Sequence, residues 1–95
     1  MKAKEIQLYY DARMEILIKL RLDAGHSNIK EYATKVDIDA STYAKYETGV
    51  TIMETNIFKI IYFNELSMLE FETKIWEVLD RKKNKQLNLT IKDII

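Results

Sequence analysis

An all-helical fold of five helices is what this sequence predicts, and three observations carry the prediction. The chain holds no Pro and only two Gly, Gly25 and Gly49, so little interrupts a helix. Hydrophobic residues make up 47% of its 95 positions, enough for one core and too few for a second domain. Apolar residues recur at helical spacing in successive stretches, each bounded by a residue that caps or stops a helix.

The first stretch runs from about Lys4 to Ala24. At 100° per residue, Ile6, Tyr9, Tyr10, Ile16, Leu17, Leu20 and Ala24 share a broad face, and Leu8, Ile18 and Leu22 fall opposite. Gly25 follows, where a left-handed residue ends a helix at least cost. After the loop His26-Ser27-Asn28, a short second helix spans Ile29 to Val36, with Ile29, Tyr32, Ala33 and Val36 facing inward. Asp39 closes the break after Val36 and suits the N-cap of a third helix, Ala40 to Glu47 or Thr48, which Gly49 stops.

Glu54 to Asn64 or Glu65 makes the fourth helix, with Ile57, Ile60, Ile61 and Phe58 as its inner residues. Ser67 and Glu70 have the spacing of a capping box and open a fifth helix that reaches about Lys83. On it Met68, Leu69, Phe71, Ile75, Trp76, Val78 and Leu79 occupy one half of the wheel. The cations Arg81, Lys82, Lys83 and Lys85 suit a helix C-terminus. Beyond them Leu87-Asn88-Leu89-Thr90-Ile91 alternates like a strand, while Thr90 suits the cap of a last helical turn; the sequence leaves both open. The expected layout is one domain over 1–83, with its core in 19–71, and a short C-terminal tail over 84–95 that is available for dimerisation.

Composition narrows the function. With no Cys and a single His, His26, neither a disulfide nor a metal cluster is expected. The carboxylates are spread along helix surfaces, and there is no Gly-rich phosphate loop, so no catalytic site, cofactor or small-molecule ligand is expected. No apolar run reaches the ~18 residues that cross a bilayer, and the expected location is the cytoplasm. Fifteen Lys and Arg balance fifteen Asp and Glu.

Two short helices joined by a tight turn have the geometry of a helix-turn-helix unit, here residues 28–48. The second helix of such a pair needs apolar residues inside and short polar ones outside. Tyr43 and Tyr46 face in, which leaves Ser41, Thr42, Lys45 and Thr48 to face out. Hydroxyls and an ammonium there reach base edges or phosphates.

From Arg21 to Phe71 the chain resembles the lambda-repressor-like, or xenobiotic-response-element, family of transcriptional regulators. The residues that carry the resemblance are Arg21, Gly25, Asn28, Tyr32-Ala33, Asp37-Ile38-Asp39, Thr42-Tyr43, Tyr46-Glu47-x-Gly49, Ile57-x-Lys59-Ile60 and Ser67 to Phe71. The aromatic-rich version is similar to regulators of Bacteroidetes. The resemblance implies a five-helix lambda-repressor-like fold with an extended first helix, and a repressor that binds double-stranded DNA as a homodimer. It further implies that Asn28 holds a phosphate, that Ala40, Ser41, Thr42 and Lys45 meet bases, and that Thr48 and Thr51 meet the backbone. Arg21 and Glu47 match a structural ion pair between helices one and three.

Three features depart from that pattern. Between Lys19 and Leu66 the cations Lys19, Arg21, Lys30, Lys35, Lys45 and Lys59 are outnumbered by Asp23, Glu31, Asp37, Asp39, Glu47, Glu54 and Glu65. The first helix is about three turns longer than the minimal family fold. Loop 49–53 carries no Lys or Arg. Such neutrality, with the off-face Leu8, Ile18 and Leu22, suits a rival reading: a protein-interaction module or antitoxin on the same scaffold.

Overall fold

Five α-helices form in the computed structural model, which describes the backbone of residues 3–94 and the side chains of residues 3–85. They are α1 (Ala3–Asp23), α2 (Ile29–Val36), α3 (Ala40–Tyr46), α4 (Glu54–Phe63) and α5 (Met68–Ile94), and no strand occurs among the described residues. No helix among them is long and apolar enough to cross a membrane.

The helix boundaries follow from local chemistry. Gly25 and Gly49 both take positive φ, +87° and +102°, just past α1 and α3. Asn28 caps α2 by accepting the Glu31 amide, and Asp39 caps α3 by accepting that of Thr42. Ser67 and Glu70 exchange backbone amides with each other's side chains, a complete capping box. Asp37 ends α2 in the left-handed region at φ 68°, and the Ile38 amide then donates to the Ala33 carbonyl. That turn buries Ile38 and leaves Asp37 and Asp39 in solvent.

Tyr32 and Tyr43 are fully buried where α2 meets α3, with ring centroids 5.2 Å apart and edge to face. Phe63 of α4 packs against Tyr32 from another side at 5.6 Å. Such aromatic pairs contribute about 0.5–1.5 kcal/mol each beyond their area. Two amides at α4 and its C-cap reach the tyrosines of α2 and α3: Asn64 Nδ2 donates to the Tyr32 hydroxyl and Asn56 Nδ2 to the Tyr46 hydroxyl. Lys59 Nζ donates to the Asp37 carbonyl at 2.8 Å, which fixes the α2–α3 turn to α4.

α1 and α5 make the most extensive helix contact. Ala12, Ile16, Leu17 and Leu20 are buried from α1, and Phe71, Ile75, Val78 and Leu79 from α5. Near the start of α1, the Tyr9 hydroxyl donates to both Glu72 carboxylate oxygens at 3.0 Å, and its ring lies 5.8 Å from Trp76.

Several expectations from the sequence need correction. α5 does not end near Lys83. It continues unbroken to Ile94, so residues 84–94 are helix rather than a strand or a separate turn. No Gly or Pro follows Lys83 to break the helix, and the Leu87–Ile91 alternation does not override its propagation. The side chains of residues 86–95, for which a dimerisation role is expected, lie outside the described residues.

Phe58, Leu69 and Trp76 are exposed, by 50%, 76% and 42%, instead of lying in the core. Each sits at the flank of an apolar arc wider than the core can cover. Ile6 and Ala24 are exposed too, and Leu8, from the side opposite the expected apolar face, packs partly against the core.

Candidate nucleic-acid interface

Arg21 holds the end of α3 against the loop that leads into α2. Its guanidinium grips Glu47 with two bonds, Nε to Oε2 at 2.8 Å and Nη2 to Oε1 at 3.0 Å. Nη1 donates to the carbonyls of His26 and Ser27 at 3.0 and 2.9 Å. Because residues 26 and 27 immediately precede Asn28, one side chain fixes the start of α2 beside the C-terminal end of α3. Bonding to Glu47 raises the Arg21 pKa despite burial, which opposes the shift. The Tyr43 hydroxyl is buried against this pair without a hydrogen-bond partner of its own. Burial foremost, and then the adjacent Glu47 carboxylate, push its pKa far above the usual phenol range.

Exposure divides α3 as its helical period requires. Tyr43 and Tyr46 are buried and Ser41 and Lys45 are exposed one turn apart; α3 ends at Tyr46, short of the expected Glu47 or Thr48, so Thr48 continues that stripe from the turn that follows. Thr42 stands half-buried at the edge of that stripe, and so does Ala44, which was not among the expected site residues. Ala40 packs partly against the core, and Thr51 is exposed on the following loop.

The polar groups of this face are also ordered among themselves. Asp39 Oδ2 receives the Ser41 hydroxyl at 2.6 Å, the Thr42 amide at 3.1 Å and the Thr42 hydroxyl at 3.3 Å. These bonds, that from Ser41 foremost, hold the Asp39 carboxyl below its ordinary pKa, so it is ionised at neutral pH. The Thr48 hydroxyl donates to the Lys45 carbonyl at 2.7 Å.

Asn28 is exposed, and its cap orients it. Oδ1 accepts the Glu31 amide at 3.1 Å, so the Nδ2 end is the one turned toward solvent. An amide donor held in that way at the first turn of a helix is suited to an anion.

A groove of about 410 Å³ between α1 and α5 has Ile16, Leu20 and Val78 as its floor, with Glu15, Lys19, Asp23, Lys74, Glu77 and Arg81 among its lining. Its charges alternate in sign, and Arg81 already pairs with Glu15 at 2.9 Å. Among the described residues no three His, Asp or Glu side chains gather as a metal site would need. No protein-family model, curated protein or solved structure matches the chain.

Proposed function

We propose that the chain is a sequence-specific DNA-binding transcriptional regulator with a lambda-repressor-like fold, acting as a homodimeric repressor with α3 in the major groove. The observation that carries this reading is the α2–turn–α3 unit. Its second helix buries two tyrosines and presents Ser41 and Lys45 outward, with Thr48 exposed just past its end, while Arg21 bonds the two loop carbonyls that immediately precede Asn28. A helix so arranged offers side chains to base edges, and Asn28 offers a donor to a phosphate at constant register. Because one short helix spans only a few base pairs, two copies on a palindromic site are expected.

Selection of bound sites from random duplex DNA tests the reading. The expected product is a palindrome with half-sites about one helical turn apart. Recovery of no preferred site at low salt would refute it.

A specific observation favours a second reading, a protein-interaction module or antitoxin. Ile6 on α1 and Leu69 and Trp76 on α5 are apolar and exposed, as are Phe58 and Tyr62 on α4. The same residues suit a dimer of the regulator, so DNA selection is what separates the two.

A further inference from the structure

We infer that Ile6 and Tyr10 of α1, with Leu69 and Trp76 of α5, form the surface on which a second copy of this chain docks about a two-fold axis. The inference rests on the DNA-binding reading above for its pair of copies and adds the face that joins them.

The patch follows from the length of α1. Its C-terminal half is built into the core through Ile16, Leu17 and Leu20, and Arg21 reaches the end of α3. Nearer its start, the Tyr9 ring lies 5.8 Å from Trp76 and its hydroxyl bonds Glu72, while Glu15 further along meets Arg81. The two helices therefore run side by side in the same sense. Ile6 and Tyr10 stand one turn apart on α1, and Leu69 and Trp76 two turns apart on one stripe of α5. Ile6 is 39% exposed, Leu69 76% and Trp76 42%; Tyr10 is half-buried. Arg13 lies 4.9 Å over the Tyr10 ring. Trp, Tyr and Arg together are the residues that dominate the energy of protein interfaces.

Two observations select a second copy as the occupant. One is charge. The α1 half of the patch carries a cation, Arg13, whereas Glu72 and Asp80 border Trp76 on the α5 half. A two-fold axis between the halves lays α1 of each copy on α5 of the other, so a cation meets carboxylates twice. The other is reach. Arg21 stands 15 residues from Ile6 on α1, a distance of about 22 Å. With α1 lying across the axis, two joined copies hold their α3 helices on the order of 45 Å apart, enough to span the ~34 Å between half-sites one turn apart.

The test uses the full chain without DNA and reads its mass by sedimentation equilibrium at tens of micromolar. Wild type should be a dimer. Leu69→Glu puts a carboxylate into the patch at a position that is already largely in solvent, so it should fold and weaken dimerisation about tenfold or more. Arg13→Glu sets like charges against each other across the axis and should weaken it too. Phe58→Glu makes the same kind of change on the exposed face of α4 and should leave the dimer intact.

Circular dichroism of the variants checks that they fold; if Arg13→Glu does not, Leu69→Glu decides alone. A monomeric wild type would overturn the inference, as would a dimer of wild-type strength in folded Leu69→Glu or Arg13→Glu, or a dimer lost in Phe58→Glu. The DNA-binding reading fails separately. A monomer that still selects a preferred half-site would sink the docking surface and leave that reading standing. A dimer that responds to the variants as expected but selects no site would do the reverse.

Discussion

Arg21 and Glu47 meet as a two-pronged ion pair across 26 residues of sequence, with side chains only 10% and 6% exposed. Both remaining Arg21 bonds go to loop carbonyls, so the charge is fully matched where water is scarce. Removing one partner leaves the other buried and unpaired, at a cost of about 3 kcal/mol. Glu47→Ala should therefore lower the melting temperature by more than about 10 °C in a domain of this size. The exposed Glu77→Ala is the comparison, and an equal drop in both would show that the pair does not hold the fold.

Glycine content at the helix ends gives an opposite pair of effects. Glu65 closes α4 at φ 56°, with the Leu66 amide donating to the Ile61 carbonyl, a position where Gly is favoured. Glu65→Gly should stabilise by about 0.5–1 kcal/mol. Gly49→Ala should destabilise more than Gly25→Ala. Both have positive φ, but a Cβ at 49 would lie 3.2 Å from Met14 Sδ, whereas one at 25 meets nothing within 4 Å. Urea denaturation of the three variants checks the order.

The starts of α2, α3 and α5 were legible because local residues set them, whereas the end of α5 was not. Asn28, Asp39, Ser67 and the two glycines act within a few residues of themselves, and α2 begins and ends where the sequence placed it. The core tyrosines Tyr32, Tyr43 and Tyr46 were legible from spacing for the same reason. What the sequence hid depends on distant partners. Ala12 is fully buried although its spacing did not single it out, and Phe58 and Leu69 are exposed although both sit on apolar faces. The acceptor role of Asp39 toward Ser41 had a local signal, a capping residue followed closely by hydroxyls, that the capping role alone did not exhaust. Asn56 and Asn64 gave none, since their partners are tyrosines of other helices.

Burial and the hydrogen bond to Glu72 raise the Tyr9 pKa to about 12. The folded state therefore holds this proton after the unfolded chain, with its phenol near 10, has released it. Stability linked to Tyr9 is complete below pH 10 and is lost as pH rises from 10 through 12. Tyr9→Phe should show a shallower alkaline loss of stability over that window. Ultraviolet titration of the phenolates should also lose one group near 12; an unchanged titration curve would place that proton elsewhere.

The two ends of the Asn28 amide have separate jobs, and Asn28→Asp separates them. Aspartate still caps α2 through its oxygen, so the melting temperature should change little. The solvent-facing NH2 becomes an anionic oxygen, so affinity should fall on every duplex by a similar factor. A variant that loses affinity only on the preferred site would show that Asn28 contacts a base.

The central claim is that α3 reads sequence while Asn28 sets register, and titration of Lys45→Ala and Asn28→Asp on preferred and scrambled duplexes tests it most directly. Measured at two salt concentrations, Lys45→Ala should cost about 1–3 kcal/mol on the preferred duplex and clearly less on the scrambled one. Asn28→Asp should weaken both alike, and the salt dependence of wild type should be shallow because few cations face the DNA. Parallel losses by both variants on both duplexes would contradict the account, since α3 would then not be the element that reads the bases.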